Sequence, residues 1–393
     1  MRYIPRMPAK AIALSRTVGD LLRKGRERLG YTLRDVERLT ADHGNLIPFS
    51  TLARIEQGRL DPGLKRLHAL LRLYSLPIQA ADDLLDLESI AGRVSAKGDF
   101  ATLLRRGTEA WKGGDLPTAV ACYLAMRHRA EEQEPDRAKR HEAILSFAVI
   151  AAKMGKHHIA RQMLDELLLD KPARPILFRI FVQTASTWHA LGSPETALTF
   201  VGGAESLVDW KDSRGRGWLS HLRASIQIDL GAFDDAHGRL VEAARLFQMA
   251  KRPYDRALAL AAIARLEVER GDAAAAVRAA RRAAHFAAGK RFGRVVALAG
   301  IQEARARLAD GKPKAALTVL NGMLSKTVAS SDNIICFYAH FYLSKAYEAL
   351  DDPLRSHVEF EQAKHFVRFV DHESKETTEV RGQLRSGGAS ARS

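Results

Sequence analysis

Small and apolar residues recur at helical spacing over residues 99–370, in a pattern that repeats at intervals of 37 to 41 residues. One position of each period holds a glycine or, in the last period, an aspartate: Gly114, Gly155, Gly192, Gly231, Gly271, Gly311 and Asp351. Small residues stand seven positions earlier, at Gly107, Ala148, Ala185, Ala224, Ala264, Ala304 and Ser344. They also stand five positions later, at Ala119, Ala160, Ala197, Ala236, Ala276, Ala316 and Ser356. These matches indicate an internal repeat.

Each period predicts two antiparallel helices joined by a tight turn. A glycine just after a helix permits the left-handed conformation that reverses the chain. Small residues on both sides of the turn let the two helices approach closely. We therefore predict an all-α fold in which about seven helical hairpins form an α-solenoid. The last period also contains a cluster of aromatic residues, which we assign to the core of the repeat and not to a ligand-binding surface: Phe337, Tyr338, Phe341, Tyr342 and Tyr347.

The first part of the chain has shorter apolar segments, separated by Gly, Asn and Pro. They predict a helix over residues 17–29, a second helix that begins after Thr32 as N-cap, and a third over Pro48–Gln57 with Leu52 and Ile55 facing inward. A leucine-rich helix follows. We predict a basic arm (1–16, disordered), an all-α domain (17–81), a connector (82–98), the repeats (99–370) and a disordered tail (371–393).

Basic residues are densest in the small first domain. The chain has 61 Lys+Arg against 46 Asp+Glu, a formal charge of +15, and residues 1–74 hold 15 and 7 of them, a net charge of +8. A compact basic domain is typical of proteins that bind nucleic acid. The alternative is an arginine-rich composition with no polyanionic partner.

Three stretches of this domain match the sequence pattern of a known family: TLRDV at residues 32–36, STLARIEQG at 50–58 and RLDP at 59–62. Together with the leucine helix after them, they resemble the Xre-type (Cro/repressor-like) helix-turn-helix family, with the turn near residues 43–46. The resemblance implies that the helix over 48–57 enters the major groove of double-stranded DNA. The alternative is a helix-turn-helix fold that serves as a protein-interaction module.

The resemblance also implies which side chains contact DNA: Phe49, Ser50, Thr51 and Arg54 on the third helix, and Arg34, Arg59, Lys65 and Arg66 around it. Phe49 is expected to touch a thymine methyl group, Ser50 and Thr51 to bond to base or phosphate, and Arg54 to bind guanine bidentately or to contact a phosphate. The other four cations are expected to contact phosphates. Glu56 matches a position that is structural in the family.

The glycine and alanine positions of the repeats resemble tetratricopeptide repeats, with a longer period than the usual 34 residues. That resemblance implies a concave face that binds a peptide, a protein segment or a second copy of the chain. One basic helix face and the cations after it are candidates for a ligand or partner site: Arg278, Arg281, Arg282, His285, Arg291 and Arg294, with Lys290 among them. The alternative is a solvated face.

Catalytic and metal-binding motifs are not found. Phosphate-loop and zinc-binding patterns are missing, and the two cysteines, Cys122 and Cys336, stand far apart, so we expect neither an enzyme nor a cofactor or metal. The longest stretch without Asp, Glu, Lys or Arg, residues 180–194, is too short and polar to span a bilayer. We therefore expect a cytoplasmic protein that does not bind membranes.

Together these features predict a bacterial transcriptional regulator. Its first domain binds an operator in double-stranded DNA, and its repeats sense a peptide or protein ligand and mediate homodimerisation, since the family's operators have two half-sites. The alternative is a scaffold or adaptor that uses the repeats to recruit partners and binds DNA weakly or without sequence specificity.

Overall fold

The computed structural model describes residues 16–132, 136–327 and 332–390, and regular structure within these ranges is entirely helical. The chain divides into two compact units at Ser89/Ile90. The prediction of an all-α fold is confirmed. The proposed basic arm lies outside the described residues, except for Arg16.

The first unit contains five helices: α1 (Arg16–Arg28), α2 (Leu33–Asp42), α3 (Phe49–Glu56), α4 (Gly63–Leu73) and α5 (Ile78–Ala91). Helix α3 packs against both α1 and α2. Fully buried Val18, Leu22, Val36, Leu52 and Ile55 lie in its core. The helices therefore bury the apolar positions that follow the helical period in the sequence.

The second unit contains seven consecutive antiparallel hairpins, which confirms the predicted solenoid. Their first helices are α6 (Phe100–Gly113), α8 (Arg137–Lys153), α10 (Arg174–Ala190), α12 (Ser213–Asp229), α14 (Pro253–Arg270), α16 (Gly293–Ala309) and α18 (Asn333–Glu348). Their second helices are α7 (Leu116–Glu132), α9 (His157–Leu169), α11 (Pro194–Glu205), α13 (Phe233–Met249), α15 (Ala273–Ala288), α17 (Pro313–Thr327) and α19 (Pro353–Val367). A last helix, α20 (Lys375–Ser390), follows.

The repeated glycine position forms the turn of every hairpin. All seven of these residues have positive φ, from 94° at Gly114 to 58° at Asp351. Except for the partly buried Ser356, the small residues before and after the turn are buried where the two helices of a hairpin meet; Ala264 and Ala276, for example, have no exposed surface. In the first hairpin, a Cβ atom on Gly107 would lie 2.7 Å from the ring of Tyr123. The repeat pattern is therefore a steric requirement for close helix packing.

A larger side chain at these small positions is expected to destabilise the array. We expect Ala276→Leu to lower the free energy of unfolding by about 1–3 kcal/mol, because the added atoms overpack the α14–α15 contact. Ala274 lies on the same helix but is exposed, so Ala274→Leu is a matched control with little expected effect. Urea denaturation of both variants measures the difference, and equal losses would show that the small-residue contact does not determine stability.

The first helices of the hairpins form the inner layer of the array. Neighbouring first helices contact one another, as α14 contacts both α12 and α16, and α16 also contacts α6 of the first hairpin. The Trp111 and Tyr254 rings meet edge to face with centroids 4.6 Å apart. On the same side, the buried Arg294 guanidinium donates to the carbonyl oxygen of Lys153 at 2.9 Å. The array therefore closes on itself, and we call the surface of its first helices the inner face.

Helices extend into two of the predicted segments, and the division of the chain at Ser89/Ile90 lies inside the proposed connector. The connector assigned to residues 82–98 is helical as far as Ala91. Leu84 and Leu87 are buried there and continue the apolar face of α5, although acidic residues surround them in the sequence. Most of the tail assigned to 371–393 forms α20, whose Thr377 and Val380 are fully buried. This segment is too polar to be helical alone and is stabilised by packing against the last hairpin.

Candidate functional site

One side of α3 is exposed, and it carries the residues that the sequence assigned to base contacts. Phe49 is 44% exposed, Ser50 and Arg54 are exposed, and Thr51 is partly buried. We call these four residues the α3 face. Phe49, Ser50 and Thr51 occupy the first turn of the helix, as recognition of base edges by a helix end requires, and Arg54 follows on the same exposed side in the last turn.

The opposite side of α3 is held by a bidentate ion pair. The Glu56 carboxylate is 6% exposed and accepts from Arg26 Nε at 2.7 Å and Nη2 at 2.8 Å. The third guanidinium nitrogen, Nη1, donates to the carbonyl oxygen of Tyr31. The hydrogen bond with Glu56 raises the pKa of Arg26 despite partial burial. Glu56 thus fixes α3 against α1.

Close contact between the backbones of α1 and α3 also holds α3 in place, in addition to the Arg26–Glu56 ion pair. A Cβ atom on Gly19 of α1 would lie 2.7 Å from the carbonyl oxygen of Ile55, so α1 and α3 approach as closely as a glycine allows. At the other end of α3, the backbone N–H of Phe49 donates to Glu37 Oε1 at 3.2 Å. The buried Thr40 hydroxyl accepts from the backbone N–H of Ile47 at 3.1 Å. Two hydrogen bonds from α2 therefore fix the point where the connection, residues 43–48, leads into α3.

The four cations assigned to phosphates are all exposed: Arg34, Arg59, Lys65 and Arg66. Arg34 lies beside the α3 face, with its guanidinium carbon 5.8 Å from the centre of the Phe49 ring. None of the four, nor Arg54, forms an ion pair with another described residue. Their charges are thus available to an external anion.

The basic residues of the fifth repeat do not form one site. Arg278, Arg281, Arg282 and His285 are exposed on α15, which is an outer helix, and Arg291 is exposed in the turn after it. Arg281 pairs with Glu303 at 3.0 Å. Arg294 is only 6% exposed and pairs with the buried Asp332 at 2.9 Å. Grouping Arg294 with the others was therefore wrong, because the closure of the array uses it internally.

The inner face carries charged residues that the sequence reasoning missed. Lys153, Arg214 and Lys112 form no ion pair with a described residue, and the latter two lie over the rings of Trp218 and Tyr254. Burial, with the nearby Arg294, lowers the pKa of Lys153 to about 8. These residues come from different hairpins, and their sequence spacing gives no sign that they meet.

Two buried histidines, His221 on α12 and His372 between α19 and α20, are expected to make the stability of the array depend on pH. Burial lowers the pKa of His221 to about 4, helped by Lys153 and Arg265, and burial lowers the pKa of His372 to about 4, helped by Arg265 and His189. An unfolded chain has histidine pKa values near 6.5. Between pH 6.5 and 4 it therefore binds protons that the folded array does not.

We accordingly expect full stability above pH 6.5 and a progressive loss as the pH falls towards 4. The melting temperature of the array, followed by circular dichroism, measures this loss. His372→Asn is expected to reduce the slope, whereas His285→Asn, at an exposed position, is expected to leave it unchanged. Identical slopes in the two variants would contradict the role of His372.

Other kinds of site are not seen in the described ranges. No group of three His, Cys, Asp or Glu side chains there is placed to hold a metal ion. Cys122 and Cys336 are both buried, and burial raises the pKa of each thiol, that of Cys336 to about 12. Within those ranges, no helix has the length and apolar character needed to cross a membrane.

Comparison with known proteins gives structural similarities only. No family model matches the chain, and no curated protein matches it. A tetratricopeptide repeat protein from Parabacteroides merdae is 15% identical, with 72% of this chain and 96% of that chain covered and a TM-score of 0.42. PlcR of Bacillus thuringiensis, solved with the peptide PapR7 and DNA, is 14% identical, with coverage of 74% and 99% and a TM-score of 0.39. The P58(IPK) TPR domain is 16% identical, with coverage of 94% and 98% and a TM-score of 0.27. The fold described above rests on the chain's own helices and contacts.

Proposed function

We propose that this protein is a sequence-specific transcriptional regulator that binds double-stranded DNA through the α3 face, in the cytoplasm of a bacterium. The main support for the proposal is that α3 has one side fixed to the rest of the domain and one side exposed. One side is clamped by the Arg26–Glu56 pair, while Phe49, Ser50 and Arg54 remain exposed. Exposing an aromatic ring and an unpaired arginine on a rigid helix is typical of a surface that binds a ligand.

The chemistry of the α3 face suits the edges of base pairs in the major groove. Arg54 has the paired donors that match guanine O6 and N7, and the ring of Phe49 suits a thymine methyl group. Ser50 and Thr51 can donate to a base or a phosphate. These residues fit the Xre-type resemblance of the sequence, in which the third helix is the recognition helix.

The exposed cations around α3 suit the DNA backbone. Arg34, Arg59, Lys65 and Arg66 have no carboxylate partner among the described residues, so binding a phosphate breaks no existing ion pair. Such contacts hold the protein in register on DNA and make binding depend on salt.

The repeat array is proposed to receive a peptide or protein effector and to mediate homodimerisation. Its long chain of hairpins offers an extended inner surface, which is the feature that solenoid proteins use to bind segments of other chains. A dimer matches the two half-sites that helix-turn-helix proteins usually read.

Selection of bound fragments from genomic DNA by the purified full-length protein tests this function. We expect a short list of fragments that share one sequence motif, with the region upstream of the protein's own gene as the first candidate. Binding at physiological salt is expected to exceed binding to unrelated DNA by at least about 1000-fold. Recovery of fragments without a common motif, lost as salt rises, would instead identify the scaffold or adaptor function.

A further inference from the structure

The segment between α19 and α20 crosses the inner face of the array. We call residues 370–376 the crossing segment. On one wall, the backbone N–H of Asp371 donates to the carbonyl oxygen of Gly155 at 2.8 Å, and that of Glu373 donates to the carbonyl oxygen of Ala190 at 2.8 Å. Ala190 is the last residue of the first helix of the third hairpin, and Gly155 lies in the turn after the first helix of the second hairpin. Two alternate residues of this non-helical stretch thus bond to two successive repeats.

Acidic side chains add to this wall. The Asp371 carboxylate accepts from the backbone N–H of His158 at 3.0 Å, in the first turn of α9. A carboxylate there satisfies an otherwise unpaired N–H and suits the positive end of the helix dipole. Glu373 lies against the turn at Gly192, where an added Cβ atom would come within 3.3 Å of the Glu373 Cβ.

The opposite wall holds the other end of the crossing segment. Glu376 accepts a hydrogen bond from the Tyr342 hydroxyl of α18 and lies 3.6 Å from Arg305 of α16. Lys375 lies 3.6 Å from Glu269 of α14. These polar contacts bridge the second and third hairpins to the fifth, sixth and seventh, and Val370 of the segment is buried beside them.

The crossing segment contacts the array through backbone hydrogen bonds and side-chain carboxylates, which are the contacts that a bound peptide would make. Residues 370–374 are not helical, two of their backbone N–H groups donate to carbonyl oxygens of the array, and three carboxylates lie against the array: Asp371, Glu373 and, in the first turn of α20, Glu376. Without it, the N–H of His158 and the hydroxyl of Tyr342 lose the partners described above. Groups of this kind favour an occupant that restores the same hydrogen bonds.

We propose that the crossing segment is an intramolecular ligand, and that the inner face is a binding site for an extended acidic peptide that takes its place. This inference rests on the proposed effector role of the array and gives the effector its chemistry. A tethered occupant competes at an effective concentration on the order of mM. An external peptide therefore binds tightly only when its own affinity is high or the crossing segment is weakened.

Peptide binding to the full-length protein tests this proposal without DNA, so its outcome is independent of whether the α3 face binds an operator. The probe is a fluorescent synthetic peptide with the sequence of residues 370–382, followed by anisotropy. We expect weak binding to the natural chain and at least about tenfold tighter binding to a chain with Asp371→Ala and Glu376→Ala. A probe with Asn or Gln in place of its four acidic residues is the control and is expected to bind at least about tenfold more weakly.

A disulfide-locked chain gives a second, reversible test. The variant with Gly192→Cys and Glu373→Cys joins positions whose Cβ atoms come close enough for a disulfide after a small shift, and the natural cysteines are buried. Gly192 has a φ of 75°, so cysteine is strained there, but the strain is present in the oxidised and the reduced sample alike and does not affect their comparison. With the disulfide formed, the probe is expected not to bind; after reduction of the same sample, binding is expected to return at least to the level of the natural chain. Equal binding in both states, or equal binding of the acidic and neutral probes, would overturn the proposal.

Discussion

Replacing Arg54 and Ser50 together by alanine is expected to reduce affinity for the selected operator by about 10- to 100-fold while leaving the fold intact. Both side chains are exposed on α3, and Arg54 forms no ion pair with a described residue, so their removal exposes no buried group. A bidentate arginine–guanine contact contributes about 1–3 kcal/mol of discrimination against other bases. Titration of the selected operator and of single-base variants at constant salt measures the effect. The loss should be concentrated at the base pairs that Arg54 and Ser50 contact.

Two control variants separate base recognition from charge. Arg72→Ala removes an exposed cation from α4, outside the α3 face, and is expected to change the affinity little. Lys65→Ala removes a proposed phosphate contact and is expected to weaken binding equally for all sequences, with the salt slope reduced by about 1. If the double α3 variant keeps its sequence preference, the α3 face does not read DNA.

Replacing Glu56 by alanine is expected to destabilise the first unit by about 3–5 kcal/mol. The substitution leaves the partly buried Arg26 guanidinium without its buried bidentate partner and with only the exposed Glu27 carboxylate nearby, and breaking a buried ion pair by removing one partner is costly. For a small domain such a loss is a large part of the total stability. We therefore expect a variant that unfolds near room temperature and binds no operator, although no residue of the α3 face has changed.

Thermal unfolding of the first unit, measured beside that of a matched variant, tests the clamp. Glu27→Ala removes an exposed carboxylate that also lies near Arg26, at 3.5 Å, and is expected to change stability by less than about 0.5 kcal/mol. Arg26→Met together with Glu56→Leu is expected to restore much of the lost stability, since an apolar pair removes the unpaired charge. Equal stability of the Glu56→Ala and Glu27→Ala variants would show that the ion pair does not hold α3.

Local chemistry in the sequence was sufficient to predict the hairpins. The glycines recur because each turn needs positive φ, and the alanines recur because two helices meet there, so both constraints leave a period in the chain. The same holds for α3, where the spacing of Leu52 and Ile55 separates the buried side from the exposed one. Structural features that arise within one hairpin or one helix can therefore be predicted from the sequence of that segment alone.

Contacts between distant segments leave no such period. Arg294 belongs to a run of basic residues in the sequence, yet it is buried because Asp332 and the carbonyl of Lys153 come to it through closure of the array. From its sequence, the crossing segment is predicted to be part of a polar tail. Its structure depends on carbonyl groups about two hundred residues earlier in the chain. Backbone acceptors have no residue-specific signal, so neither the inner charges nor the occupant of the inner face could be predicted.

The ratio of operator to non-operator affinity, measured at two salt concentrations, tests the central claim most directly. The purified full-length protein is titrated with the selected operator and with a scrambled duplex of the same composition, at about 50 and 200 mM salt. Recognition by the α3 face predicts a ratio of at least about 1000 at the higher salt, reduced at least tenfold by the Arg54 and Ser50 double substitution. A ratio near one at both salt concentrations would contradict it.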